Sequence, residues 1–458
     1  MEQTTAKKNK YEIDMCNGTI MDKLISFSLP LMLSGILQLM FNAVDIIVVG
    51  RFSGSQALAA VGSTSALINV FTNLFIGISL GANVLTARFY AAGREKEVSE
   101  TVHTAITLAL VSGIVMALVG LVFSKGALAL MGTPDDVIGL SALYMRIYFC
   151  GMPFFMMYNY GAAILRAVGD TKRPLIFLIV SGVINAILNL FLVIGFHLDV
   201  AGVGIATVIS QLVSCILVLR CLHHTESSYQ LHLAKLRIRS VYLKQIFEVG
   251  VPAGIQSTVI NISNAMLQSS VNSFGSIAMA GYTAANNIFG FLYVTVNAVT
   301  QACMSFTSQN YGVGKWKRMD RVLIDCLILS FVAMMILGNS AYFFGPKLLT
   351  IYTSNSKVIQ CGMEILLYTT VTYFLCGFMD LFPGALRGMG RSGVPMILSI
   401  IGTVGTRIVW IFWIFPNHRS LDILFISYPA SWIITIVLQV ICYYFVRKQL
   451  YAKMRAEA

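Results

Sequence analysis

Twelve long apolar runs constrain this chain more than any motif in it. They lie near residues 24–49, 58–87, 101–123, 138–160, 174–196, 201–221, 246–272, 279–308, 321–344, 359–386, 394–415 and 422–446. A helix that crosses a bilayer needs about 20 predominantly apolar residues. Hydrocarbon offers no partner to an unpaired backbone N–H or C=O, so only helices or a closed barrel can cross it. Barrel strands would read as short alternating segments, whereas these runs are continuous. Composition agrees: 11% of residues are charged and 57% hydrophobic, against roughly 25% charged in soluble domains. The chain is therefore expected to be an all-α membrane protein of twelve transmembrane helices.

The net charge of +12 invites a nucleic-acid reading, but the Lys and Arg residues sit in short clusters between the apolar runs. In a membrane protein that pattern reports topology, because cytoplasmic loops retain basic residues. With the N-terminus inside, cytoplasmic segments hold 25 of the 32 basic residues, from Lys7, Lys8, Lys10 and Lys23 to Arg447, Lys448, Lys453 and Arg455. Outside segments hold 5, and Arg146 and Arg407 fall within spans. The expectation is a multi-pass protein of the cell membrane with both termini cytoplasmic, surrounded by lipid and with no nucleic-acid partner. The nine cysteines are scattered, without CxxC or Cys/His metal spacing, and read as small buried hydrophobes.

The two halves repeat. Arg166-Ala-Val-Gly169 with Pro174 matches Arg387-Gly-Met-Gly390 with Pro395 at an offset of 221. Ala57-Leu-Ala-Ala matches Ala278-Met-Ala-Gly, and Gly93 matches Gly314, at the same offset; Leu29-Pro30 matches Val251-Pro252 at 222. Six spans per half, an even number, make both halves enter from the same side, related by a pseudo-two-fold along the membrane normal. Parallel repeats of this kind place a substrate path between the halves. The expected organisation is a cytoplasmic N-terminal segment (1–22), a six-helix lobe (23–221), a basic amphipathic cytoplasmic linker (222–245), a second six-helix lobe (246–446) and a cytoplasmic tail (447–458).

Ionisable residues within spans are costly, about 2.5–3.5 kcal/mol or more at a helix centre, so function is their default reading. Asp45 is the clearest case. Ser34, Gln38, Asn42 and Asp45 follow one another at spacings of 4, 4 and 3 and share one helical face. A carboxyl withdrawn from water favours its neutral form, so such a group can exchange a proton or hold Na⁺; a structural, helix-capping carboxylate is the alternative. Span five carries Ser181, Asn185 and Asn189, and span six Thr207, Ser210, Gln211 and Ser214. These could complete a cation site around Asp45, or serve as interhelical glue. Span seven carries a polar stripe without an acid, Ser257, Asn261, Asn264 and Gln268. Asp380 in span ten and Arg407 in span eleven are candidates for an ion pair, either fixing helix packing or serving transport. HExxH and GxxxxGK[ST] are absent from the sequence, and Gly77-x-Ser79-x-Gly81 fits GxSxG only inside a long apolar run, not on the strand-to-helix turn that motif needs; no enzyme chemistry or ATP hydrolysis is indicated, and no organic cofactor is expected.

Taken together, the chain resembles the multidrug and toxic compound extrusion (MATE) transporters, and within them the bacterial multidrug exporters of Gram-positive type. The resemblance runs from about Lys23 to Arg447. It rests on Pro30 followed by Gln38-x3-Asn42-x2-Asp45-x4-Gly50-Arg51, on Leu165-Arg166-x2-Gly169-Asp170 with Leu386-Arg387-x2-Gly390, and on Gly202-x-Gly204-x-Ala206-Thr207-x3-Gln211. It implies export of organic, cationic and amphipathic solutes by antiport, in a monomer. It implies that Asp45 binds the coupling proton or cation, with Asn185 and Thr207 as polar partners. Asn189 stands where many members have a second Asp. Loss of that carboxylate weakens Na⁺ binding more than protonation of Asp45, which makes H⁺ the preferred coupling ion and Na⁺ at Asp45 the alternative. The glutamate that another branch carries on helix seven falls at Ile260, and its helix-ten aspartate at Cys376, one turn from Asp380. Coupling is therefore expected in the N-terminal half alone. Gln38, Asn42, Asn261, Asn264, Gln268, Asp380 and Arg407 are the candidates for a substrate cavity. A lipid-linked precursor flippase, a narrow-specificity metabolite exporter of the same fold and a lipid-modifying membrane enzyme are the competing readings.

Overall fold

The computed structural model describes residues 10–457. Lys7 and Lys8 of the basic N-terminal cluster lie outside the described residues, as do the side chains of Lys453 and Arg455. Among the described residues there is no strand. The helices in chain order are α1 (Met21–Phe52), α2 (Gly54–Ala91), α3 (Glu95–Leu130), α4 (Asp135–Cys150), α5 (Met152–Ala167), α6 (Lys172–Leu190), α7 (Asp199–His223), α8 (Ser240–Asn272), α9 (Ser276–Gly312), α10 (Trp316–Phe343), α11 (Gly345–Thr350), α12 (Ser356–Thr370), α13 (Tyr373–Gly388), α14 (Gly393–Ser399), α15 (Thr406–Val409) and α16 (Leu421–Glu457).

Nine of the described helices, counting α6 and α14–α15 with their π-helical continuations, are long and apolar enough to cross a membrane. Two spans differ from the continuous helices expected at 138–160 and 359–386. The first is bent by 47° between α4 and α5, and the second by 44° between α12 and α13. Counting each bent pair as one span gives eleven. The twelfth is α8, 33 residues long, whose polar stripe keeps it outside the strongly apolar set. The bend at Gly151 precedes Pro153 in the first turn of α5, whose missing N–H cannot continue the ladder of α4, and a Cβ on Gly151 would lie 2.5 Å from Gln211 Oε1 of α7.

The duplication is written into helix boundaries. Glu95 and Trp316, Asp135 and Ser356, and Lys172 and Gly393 begin equivalent helices at an offset of 221. The positive-φ glycines repeat with them: Gly54 and Gly275, Gly93 and Gly314, Gly169 and Gly390. At Gly169 the N–H of Asp170 returns to Leu165 O (2.9 Å), and at Gly390 that of Arg391 returns to Leu386 O (2.9 Å). This is the helix-ending motif that needs a residue in the left-handed region, normally glycine. The Arg-x-x-Gly repeat thus includes a helix stop.

The chain forms two units, one holding Leu29–Gly254 with the described residues before Met15, the other Met15–Ser28 and the chain from Ile255 onward. The unit boundaries within α1 and α8 fall beside their internal prolines, Pro30 and Pro252. The first unit is cored by Leu85, Ile106, Met145, Phe149, Met156 and Tyr160. Within it α2 and α8 touch backbone to backbone: a Cβ on Gly77 would fall 2.3 Å from Gly254 Cα, and one on Gly250 2.5 Å from Ile78 Cα. Small residues four apart permit such approach between membrane helices. The second unit is cored by Tyr282, Phe289, Ile365, Tyr373, Phe425 and Trp432. Large apolar side chains such as Val122, Phe123, Ile187, Phe412 and Trp413 remain exposed, as expected of faces solvated by lipid.

The chain before α1 is pinned to each unit in turn. Glu12 accepts hydrogen bonds from Tyr229 (2.6 Å) and Tyr90 (2.8 Å), and Ile13 N–H donates to Gly169 O at 3.3 Å. In the second unit, Lys315 Nζ donates to Cys16 O (2.9 Å) and Arg318 Nη1 to Gly18 O (2.8 Å). Gly169 serves both the helix stop and the first of these contacts: its φ is +100°, and a Cβ would lie 2.6 Å from Ile13 O. Gly169→Ala is expected to destabilise by about 1–2 kcal/mol from the left-handed backbone alone, more with the clash. Gly139→Ala, at a helical position with nothing within 4 Å, should be neutral or stabilising. Melting of the two purified variants in the same detergent checks the contrast.

Candidate functional site

In the first unit the acid and its partners come from α1 and α6. Gly182 lets these helices meet, since a Cβ there would overlap the Phe41 ring at 1.9 Å. One and two turns on, α6 presents Asn185 and Asn189, both buried. Asn189 Nδ2 donates a short hydrogen bond to Asp45 Oδ1, and also to Asn185 Oδ1 at 3.1 Å. Asn189 Oδ1 is buried with no hydrogen-bond partner. The α-helix widens into a π-helical turn, Phe191–Gly195, immediately after, a distortion frequent at functional sites. Tyr144 and Tyr148 of α4 lie within electrostatic reach of Asp45.

The structure thus brings together Asp45, Asn185 and Asn189. Thr207 is not joined to them by a hydrogen bond; its hydroxyl donates to Val203 O of its own helix at 2.9 Å. Ser210 and Ser214 likewise donate to backbone carbonyls of α7. A hydroxyl whose proton is spent in this way can only accept further. Gln38 and Asn42 are exposed and make no side-chain hydrogen bond among the described residues. A metal cluster of three or more His, Cys, Asp or Glu is absent among the described residues. What the site offers is one carboxylate in a setting of neutral amides. It can take up one proton, and a cation bound there would have a single anionic ligand.

The second unit places charge differently. Arg407 is 3% exposed and lies on α15, between π-helical segments Ile400–Gly405 and Trp410–Ile414. Its Nη1 donates to Asn264 Oδ1 at 2.7 Å and makes a long contact, 3.5 Å, with Ser263 Oγ. Its guanidinium carbon lies 4.6 Å from the centroid of the Tyr428 ring, and Tyr428 shares a 3.0 Å hydroxyl hydrogen bond with Tyr282.

The expected Asp380–Arg407 pair is not formed: no ion pair joins them among the described residues, and the cation that acts electrostatically on Asp380 is Arg387. The physical reason is local. Arg407 is already held by Asn264 and Tyr428, and Asp380 lies two turns before Arg387 on α13. Arg387 in turn donates to Gln256 Oε1 at 2.7 Å. Of the remaining stripe, Asn261 is exposed and Gln268 half-buried, neither with a side-chain hydrogen bond among the described residues. Sequence reasoning missed Tyr282 and Tyr428 under Arg407. Neither carries a charge nor a periodic signal that separates it from core aromatics.

The MatE family model matches residues 30–191 and again 252–413, an offset of 222 between two copies that together exceed half the chain. The chain belongs to the MATE family. Among its relatives are the probable multidrug resistance protein YoeA of Bacillus subtilis, 30% identical over 92% of this chain and 93% of that protein. The multidrug export protein MepA of Staphylococcus aureus is 23% identical over 82% of this chain and 84% of that protein. The fold matches a multidrug resistance MATE family transporter solved in an outward-facing conformation, with TM-score 0.89, 20% identity, and 98% and 100% of the two chains covered. It also matches the Vibrio cholerae MATE transporter VcmN in its bent form (TM-score 0.86, 19% identity, 94% and 97% covered). The MATE fold explains the twelve spans in two related halves.

Removing the acceptor of Arg407 tests the second cluster. Asn264→Leu keeps the volume but strands a charged donor, with an expected cost of about 1–3 kcal/mol or more. Arg407→Met in the Asn264→Leu background should restore most of it. The melting temperatures of the two variants in nanodiscs check this, and an unimproved double variant would show that the pair is not the source of the loss.

Proposed function

We propose that this MATE transporter exports organic, cationic and amphipathic solutes by antiport, and that Asp45 is the group that exchanges the coupling ion. The observation that carries the reading is the short Asn189–Asp45 hydrogen bond, with Asn189 Oδ1 left buried and unpartnered beside it. An ionised Asp45 can only accept, so it takes an N–H from Asn189. A protonated Asp45 gains an O–H that needs an acceptor. The vacant Asn189 Oδ1 supplies one if the amide turns over, and turning over removes the hydrogen bond from Asn189 to Asn185. One proton thereby changes how α1 is fastened to α6. An ion can drive a conformational change only through such a difference in interaction between the two states.

A single carboxylate among neutral amides favours H⁺ over Na⁺, because a cation loses more than a proton does when a second acid is missing. Family membership and the named activities of YoeA and MepA support multidrug export. The 25:5 partition of basic residues supports cytoplasmic termini in a bacterial cell membrane. The working unit is proposed to be a monomer, with no organic cofactor. A flippase for lipid-linked precursors is the second reading, favoured only by the buried Arg407; a narrow metabolite exporter of the same fold is the third.

Ethidium efflux from cells expressing the chain, with pH and Na⁺ gradients imposed separately, tests the proposal. Efflux should follow the pH gradient and disappear in Asp45→Asn at equal membrane levels. Persistent gradient-driven efflux in that variant would overturn the role of Asp45. Asn189→Asp adds the second acid and should shift the drive toward the Na⁺ gradient; an unchanged ion preference would refute the single-carboxylate account of coupling.

A further inference from the structure

Arg407 has no anion at hand. Its hydrogen-bond partners are the neutral Asn264 and Ser263. Its electrostatic neighbours are Tyr428, Tyr282 and Cys376, none of them a carboxylate. Its Nε–H is buried with no hydrogen-bond partner. Buried charges are ordinarily paired, and intramembrane arginines face a partner or a pathway. A structural arginine would be expected to have Asp380 as its counter-ion, yet Asp380 is not among its neighbours. Arg407 lies in the chain between two π-helical segments, and such widened turns recur at functional sites. Asn264, its main acceptor, is one turn from the exposed Asn261 on α8, so a polar stripe leads from the surface of the second unit to the buried charge.

We propose that Arg407, with Asn264, is a receptor for a carboxylate on the transported solute. Among the cationic amphipathic solutes proposed as cargo, this site favours those that also carry a carboxylate, that is zwitterions. A carboxylate oxygen would accept from Nε–H, the donor left over, and neutralise the guanidinium; the second oxygen could take one of the remaining N–H groups, as planar bidentate recognition by arginine allows. Cation–π contact with Tyr428 holds the guanidinium plane meanwhile. The inference rests on the export reading only in taking the ligand to be an organic solute.

Equilibrium binding tests it without any gradient. Purified protein in nanodiscs is titrated with rhodamine B, a zwitterion with a free carboxylate, and with rhodamine B ethyl ester, the same dye without the acid. Wild type should bind the acid about tenfold or more tighter than the ester, the range for a hydrogen bond to a charged group. Arg407→Gln should erase the difference by weakening the acid alone, and Arg407→Lys should retain part of it. Equal affinities in wild type, no binding of the acid, or a difference that survives Arg407→Gln would overturn the proposal. If Arg407→Gln does not fold, the wild-type pair and Arg407→Lys decide it: a preference for the acid that Arg407→Lys reduces supports it, and no preference rejects it. Failure of the export reading is separately visible as absent ethidium efflux, because acid–ester discrimination is read with no gradient present.

Discussion

Withdrawing a charge from water into an apolar bundle is the constraint on which the rest of this structure depends. It keeps the charged fraction at 11%, pushes basic residues into the connections, and makes each remaining intramembrane charge conspicuous. It also bears on the neutral company that two of those charges keep. Asp45 is met by an amide, and Arg407 by an amide and an aromatic face. Neither is cancelled by an opposite charge, which would have made each a fixed structural pair. A carboxylate hydrogen-bonded only to amides remains free to take a proton, and a guanidinium so placed remains free to take an anion.

The same constraint shapes the backbone. Every polar group of the main chain must be satisfied inside the helix or by a neighbour, so departures from regular helix are confined to a few places. They occur as left-handed glycines at helix ends, as bends at Gly151 and near Thr372, and as π-helical turns beside Asn189 and Arg407. The first are architectural and recur at an offset of 221. The π-helical turns flank the two charged clusters, which ties local distortion to the places where the chain holds something other than hydrocarbon.

Much of this was legible in the sequence. The spans, the duplication and the shared face of Asn185 and Asn189 follow from periodicity, because helical spacing alone decides which side chains stand above one another. Asp45 was legible because an acid in such a run has few structural excuses. What was not legible depends on distance between helices. Nothing in the spacing shows that Gly182 admits the Phe41 ring and so brings Asp45 to Asn189. Nothing shows that Arg407 finds Asn264 and Tyr428 before it finds Asp380. Thr207 was placed near Asp45 by the family pattern, while its hydroxyl proton goes to its own helix, an outcome that only φ, ψ and χ1 together determine. The bends within spans four and ten were hidden because bent and straight helices have the same apolar content.

The repeat offset exposes how the two halves diverged. Asn264 stands 222 residues after Asn42, and Arg407 stands 221 after Ala186, the neighbour of Asn185. In the first unit the charge is an acid on the first helix of the repeat, and the amide that holds it is on the fifth. In the second unit the amide is on the first helix and the charge, now basic, is on the fifth. The same two helices meet in both, with the roles and the sign exchanged. Drift would be expected to erase an unpaired intramembrane charge rather than create one, since each costs about 2.5–3.5 kcal/mol or more. Under the roles proposed above the two tasks differ in sign: the acid would exchange the coupling cation, and the base would receive a negative group on the cargo.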